Sequence, residues 1–275
     1  NCIFINNRAW HEGAGVRIEN SNPTFENCTF TDNTVTVNGF GGGMFIKNSN
    51  PTLTGCVFNS NSSVEGGGIY VINTDGGGSL ALDACVFVNN SSTHSGGGIK
   101  SISGESTLTN CTFEENAGGA HGGGGIHFNQ ANSTLTDCTF TGNYANGAAA
   151  IAFYDGSTTI ITNCAFNSNT ANANEDDHGG AIYTHNSEAS FFNCTFMDNL
   201  ADKGGAIITA LKPIYIDSCF FGDNTANMGG ALFLNANNAY VSNTQFCNNI
   251  PDDWYGYSNN EFIDEGGNTF SSDCS

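Results

Sequence analysis

Basic residues are scarce in this 275-residue sequence: six Lys and Arg stand against 26 Asp and Glu, a formal charge of −20. That balance repels a phosphate backbone and an anionic membrane surface, so neither nucleic acid nor a lipid headgroup layer is an expected partner. No run of about 18 apolar residues is available to span a bilayer as a helix. Charged residues of both signs make up only 12% of the chain, and long helix formers are few. An α-solenoid is disfavoured. What fills the sequence instead is Gly, Asn, Thr and Phe, an alphabet of turns and strands.

These residues recur in order. Cys-x-Phe-x-x-Asn is read at Cys28-Phe30-Asn33, Cys56-Phe58-Asn61, Cys85-Phe87-Asn90, Cys111-Phe113-Asn116, Cys138-Phe140-Asn143, Cys164-Phe166-Asn169, Cys194-Phe196-Asn199 and Cys219-Phe221-Asn224. Cys2-Phe4-Asn7 opens the chain, and Thr244-Phe246-Asn249 is a copy without its cysteine. Such a period marks a repeat architecture, whose units complete their core by stacking on neighbours.

A triplet of small residues follows each motif, from Gly41-Gly42-Gly43 and Gly66-Gly67-Gly68 to Gly204-Gly205-Ala206. From the end of the triplet to the next Cys position is 13 residues in seven of nine coils, whereas the distance from Asn to triplet varies. Constant spacing marks packed strands and variation marks one loop edge. Because one coil reads Ala148-Ala149-Ala150, small volume is expected to matter at the triplet more than a positive φ. The motif Asn is expected in a left-handed corner, its amide serving neighbours above and below.

Thr107-Leu108-Thr109 and Thr134-Leu135-Thr136 alternate as strands, with Leu inward. A further strand follows each triplet. One strand direction repeated per coil predicts an all-β, right-handed parallel β-helix, a solenoid of about ten coils held by a column of phenylalanines. We expect residues 1–250 to form these repeats and 251–275 a capping segment in which Trp254 covers the last coil. Asn1-Cys2 begins within a repeat, which predicts a piece of a longer chain with an upstream coil or another subunit at that end.

Nine cysteines share one repeat position and would stack about 4.8 Å apart, farther than the Cβ spacing of about 3.8 Å that a disulfide prefers; free thiols acting as small apolar filler are expected ahead of pairwise bridges or a metal. Cys247 and Cys274 fall outside the column and are the candidate disulfide, which would fit an oxidising compartment.

Phe166-x-x-Asn169 with Gly179-Gly180-Ala181-Ile182, and Phe196-x-x-Asn199 with Gly204-Gly205-Ala206-Ile207, resemble the repeats of chlamydial-type polymorphic outer-membrane proteins. The resemblance covers nearly the whole chain and implies an extracellular or cell-surface β-helix, often adhesive. The chain departs from the family in having no C-terminal barrel.

Function is sought on the strand after the triplet, where Tyr70, Lys100, His127, Tyr154, Tyr183 and His185 are expected to point outward. Aromatics stack on sugar rings, and Lys, His and Tyr bind carboxylates or move protons. The leading expectation is a non-catalytic rod displaying this face to a glycan or protein. The alternative is a polysaccharide lyase or other carbohydrate-active enzyme working along the same face, which would want a base and a charge stabiliser in adjacent coils. No metal ligand set and no cofactor are predicted. Glu175-Asp176-Asp177-His178 offers oxygen ligands of the kind calcium takes, although consecutive carboxylates in a loop are ordinarily solvated. Sequons at Asn27, Asn61, Asn90, Asn110, Asn132 and Asn193 arise from the repeat itself, which spells Asn-Cys-Thr and Asn-Ser-Ser.

Overall fold

The computed structural model describes residues 1–74, 78–172, 179–235, 237–257 and 261–274. Among these residues there is no helix, and every strand pairing runs parallel. The chain winds as a right-handed parallel β-helix of about ten turns.

Three-residue strands carrying the motif Phe build one sheet, 11-stranded among the described residues. Its register is strict: Phe87 lies opposite Phe58 on one side and Phe113 on the other. Consecutive rings from Phe4 to Phe270 therefore stack, as in Phe30–Phe58 at 4.5 Å and 2° and Phe113–Phe140 at 4.7 Å and 4°. The rings from Phe30 to Phe246 are fully buried. Each contributes about 150–250 Å² to the core, plus a stacking gain of roughly 0.5–1.5 kcal/mol per pair.

A second, 18-stranded sheet contains both the strand after the triplet and the Leu strand. Ile69–Ile72 and Ser79–Asp83 are separate strands, but in the two coils that follow they fuse into Ile99–Thr109 and Ile126–Thr136. Leu53, Leu82, Leu108, Leu135, Ile161 and Ile216 point inward and are buried, completing the core with the aliphatic residue or Met at the first position after each triplet.

The motif Asn closes the corner through its amide, as expected, but the left-handed conformation falls one residue earlier. The left-handed residue is the one before it: Asp32, Ser60, Asn89, Ser168, Asp198 and Asp223 all have φ between 53° and 55°. Asn itself works through its amide. Asn116 donates its backbone N–H and Nδ2 to Asn143 Oδ1, both at 3.1 Å, and Nδ2 also reaches the Phe87 carbonyl at 2.9 Å. Its own Oδ1 receives the N–H and Nδ2 of Asn90 at 3.0 Å. Asn33, Asn61, Asn90, Asn116, Asn143, Asn169, Asn199 and Asn224 are wholly buried in this ladder. A buried polar group left unpaired costs about 1–3 kcal/mol, and here each amide is satisfied by the coils on either side.

The first residue of the triplet takes a positive φ in most coils, +64° at Gly66 and +54° at Gly204, but Ala148 and Gly179 do without it, so that conformation is not required there. Small volume governs the middle position, where a Cβ on Gly180 would lie 1.6 Å from the Gly205 carbonyl oxygen.

Cysteine is more than filler. Among the described residues Cys28 to Cys219 form a column of buried free thiols. Cys138 donates its backbone N–H to Cys164 Sγ at 3.3 Å, and Cys164 Sγ–H in turn reaches the Thr162 carbonyl at 3.3 Å. Cys194 uses Cys219 Sγ the same way. In the next coil Thr244 Oγ1 accepts from Cys219 N at 3.2 Å and donates to Ser242 O at 2.8 Å. Thr can stand in because the position needs a compact group that accepts one hydrogen bond and donates another.

Trp254–Gly256, Phe262–Gly266 and Thr269–Ser271 make the last coil, with Trp254 stacked on Phe262 at 5.6 Å. Cys247 and Cys274 are bonded across it.

Candidate functional site

The strand after each triplet does not present the surface its sequence promises. Tyr70, Lys100, His127 and Tyr183 are only 4, 6, 3 and 7% exposed, and Phe45, Ala152, Ile208 and Phe233 in the same column are buried too. The cover comes from the chain just before the triplet, which packs over the strand after the triplet in its own coil or the next. Phe40 packs its ring 4.7 Å from Tyr70 in the next coil, Ser95 Oγ accepts Lys100 Nζ at 3.0 Å, and Lys203 Nζ sits 5.6 Å above Phe233. A second small core results, built from Ala148, Ala152, Tyr183, Ile208, Ala210 and Phe233. Outward alternation was read correctly; that a loop closes over it was not.

The predicted residues are nonetheless brought together. His127 stacks on Tyr154 at 5.0 Å, Tyr154 meets Tyr183 edge-on at 5.4 Å, and the Tyr183 hydroxyl lies 3.0 Å from His185 Nδ1. Tyr154 and His185 are half-buried. Burial drives the His127 imidazole well below its usual pKa, with Lys100 repelling the proton further, and its Nδ1 is buried without a partner. Burial also lowers Lys100 to about 8, against the pull of Glu65, and holds the Tyr70 and Tyr154 phenols protonated. Groups this deep stabilise and orient one another. Of the candidates on this face, Tyr154 and His185 keep part of their surface open, whereas Tyr70, Lys100, His127 and Tyr183 are out of reach of a polysaccharide.

The accessible relief lies one strand further on. Where Glu105–Thr109, Asn132–Thr136 and Thr158–Thr162 run side by side, their outward side chains wall a trough of about 400 Å³ lined by Glu105, Thr107, Asn132, Thr134, Thr158 and Ile160. A smaller hollow of about 160 Å³ shares Thr158 and continues past Asn186, Glu188 and Lys212. Lys212 Nζ is 3.7 Å from Glu188 Oε1. In the column of Thr107, Thr134 and Ile160 the later coils carry Ser190, then Tyr215 and Tyr240, whose rings stack at 5.2 Å with Tyr215 43% exposed. Phe192 is exposed two residues along, beside Asp217, whose carboxylate accepts Ser242 Oγ at 2.7 Å and Asn243 Nδ2 at 2.9 Å. Those hydrogen bonds hold Asp217 below the usual carboxylate pKa. Hydroxyls, amides, carboxylates and exposed rings thus share one strip along the rod. The sequence signal for it is a pair of Tyr at equivalent positions 25 residues apart.

Other predicted features have definite places. Sequon residues Asn61 and Asn90 are ladder rungs, fully buried, while Asn27, Asn110, Asn132 and Asn193 are exposed. Of Glu175-Asp176-Asp177-His178, all four lie outside the described residues. Among the described residues no three His, Cys, Asp or Glu side chains converge as a metal site. No helix among them is long and apolar enough to cross a membrane.

Among proteins compared, no curated protein and no solved structure matches the chain. A family model does, that of the right-handed β-helix region, over residues 1–81 and 63–246. Matched over most of its length, and with the same winding in its structure, the chain belongs to the right-handed β-helix family.

Proposed function

We propose that this chain is a non-catalytic, extracellular or surface-displayed rod that holds a glycan along the trough of Thr107, Thr134 and Ile160 and the tyrosines beyond it. The observation that carries the reading is the exposed Tyr215 stacked on Tyr240, in line with a hydroxyl-lined trough. Exposed rings supply the apolar face on which a sugar packs, and side-chain hydroxyls, amides and carboxylates supply its hydrogen bonds. A net charge of −20 favours a neutral glycan over an acidic one. The Cys247–Cys274 bond fits an oxidising compartment, and the resemblance to polymorphic outer-membrane repeats fits display and adhesion.

A glycan array followed by calorimetry on neutral oligosaccharides tests this. Binding is expected, weakened about fivefold by Tyr215→Ala and left unchanged by an equally exposed change such as Leu200→Ala, since one stacked ring is worth about 1 kcal/mol. Absence of binding across neutral glycans, or binding indifferent to Tyr215→Ala, overturns the assignment.

A further inference from the structure

Where the chain runs into the triplet, histidine occupies the same position in two successive coils. His94, in the strand Ser91–Ser95, lies two residues before Gly96, and His121 lies two residues before Gly123; both are exposed. The backbone fixes the pair. Gly122 N–H donates to Gly119 O at 3.2 Å, closing a tight turn with His121 as its third residue, and His121 N–H donates to His94 O at 3.0 Å. The turn lies this close because its first residue has no side chain: a Cβ on Gly119 would sit 1.8 Å from the Thr93 carbonyl oxygen. The two imidazoles stand with centroids 5.3 Å apart and planes tilted by 56°, whereas the rings of the Phe column lie within 8° of parallel. Neither imidazole makes a hydrogen bond among the described residues, so its nitrogens are free to ligate.

We propose that His94 and His121 chelate one divalent transition-metal ion of the zinc, nickel and copper class. A metal–imidazole bond of about 2.0–2.1 Å places the ion about 3.2 Å from each ring centroid, and a tetrahedral angle between two such bonds separates the centroids by about 5.2 Å. The observed spacing meets that figure, and the tilt lets two ring edges converge on one point. Imidazole nitrogen selects these metals over calcium and magnesium, which take oxygen ligands. A net charge of −20 draws cations to the surface.

With no third His, Cys, Asp or Glu converging there among the described residues, the site is an open one. Two protein ligands leave the remaining positions of a four-coordinate ion to water or to a donor group brought by a bound partner. The pair precedes the triplet, whereas the trough lies beyond the strand that follows it, so metal binding is independent of the glycan reading.

Calorimetry of the whole chain with Zn²⁺, in buffer holding calcium to occupy surface carboxylates, tests this. One ion per chain is expected. His94→Ala and His121→Ala each reduce the chelate to a single ligand and weaken binding roughly 100-fold. His11→Ala, in the same column three coils away, and Cys2→Ser, which removes the exposed thiol, leave it unchanged. Both site rings are exposed, so the variants are expected to keep the fold, which circular dichroism checks. No zinc binding in calcium overturns the proposal. So does zinc binding that is indifferent to His94→Ala or His121→Ala, or that is lost with His11→Ala or Cys2→Ser.

Discussion

Asp253 Oδ1 accepts the Nδ2 of Asn249 at 2.9 Å, in the place where every earlier rung offers the Oδ1 of another asparagine. A carboxylate receives but has no amide to pass on, so the ladder stops there. Burial raises the Asp253 pKa, the Asn249 hydrogen bond opposing it. The folded state therefore holds this proton more tightly than the unfolded chain, and ionisation above the folded pKa costs stability that returns as pH falls through it. Asp253→Asn keeps the acceptor and removes the charge. It is expected to raise stability at neutral pH by about 0.5–1 kcal/mol, read as a higher urea midpoint, and to flatten the acid limb of the pH profile.

Changing Asn116 inside the ladder has the opposite sign. Asn116→Asp retains an acceptor for Asn90 but loses the donors to Phe87 O and Asn143 Oδ1, and it buries a charge. A loss of about 3 kcal/mol or more is expected, with hydrogen exchange rising first in the coils around residue 116 and later at the ends. Uniform protection across the rod would contradict the ladder's role.

Two buried bases set the pH response on the opposite corner. His127 has its pKa pushed well down by burial, and it is faced by Lys100, Tyr154, His121 and the Gly122 backbone. The stability tied to this neutral imidazole is complete above about pH 6.5 and declines as pH falls below it. Lys100, lowered to about 8 by burial against the opposing pull of Glu65, is carried neutral in the folded state between that value and the 10.5 of a free lysine, so its contribution improves as pH rises through the window. His127→Phe, which keeps the stack on Tyr154, is expected to shrink the difference in urea midpoint between about pH 5 and about pH 7.5. Lys100→Met is expected to stabilise at neutral pH and to abolish the alkaline gain.

The thiol column is testable by its one natural exception. Cys164→Thr reproduces what Thr244 does and should cost less than about 1 kcal/mol, whereas Cys164→Ala leaves the Cys138 N–H unpaired and should cost about 1–3 kcal/mol more in thermal or urea unfolding. Sealed from solvent, the column is expected to resist alkylation until the rod unfolds.

Architecture was legible because its determinants are periodic. Phe30, Phe58 and Phe87 had to fall in line once their spacing implied one coil each, and Leu108 and Leu135 followed from alternation. The site was less legible because burial on an outward face depends on a chain segment that returns from elsewhere. Nothing in Ile69-Tyr70-Val71 announces that Phe40 will cover it. Likewise the left-handed corner at Asp32 was misassigned to Asn33: both residue types tolerate that conformation, and only the hydrogen-bond partners tell them apart. Tyr215 and Tyr240 were visible as equivalents, but their exposure follows from a strand that no loop crosses.

Each bond from one asparagine amide to the next runs from a coil to the coil that follows it, so the rod carries a sense, as an arrow does. Coils can be gained or lost by duplication or deletion, since each rung asks only for its two neighbours, but any addition must point the same way. Length is open to evolution; direction is not.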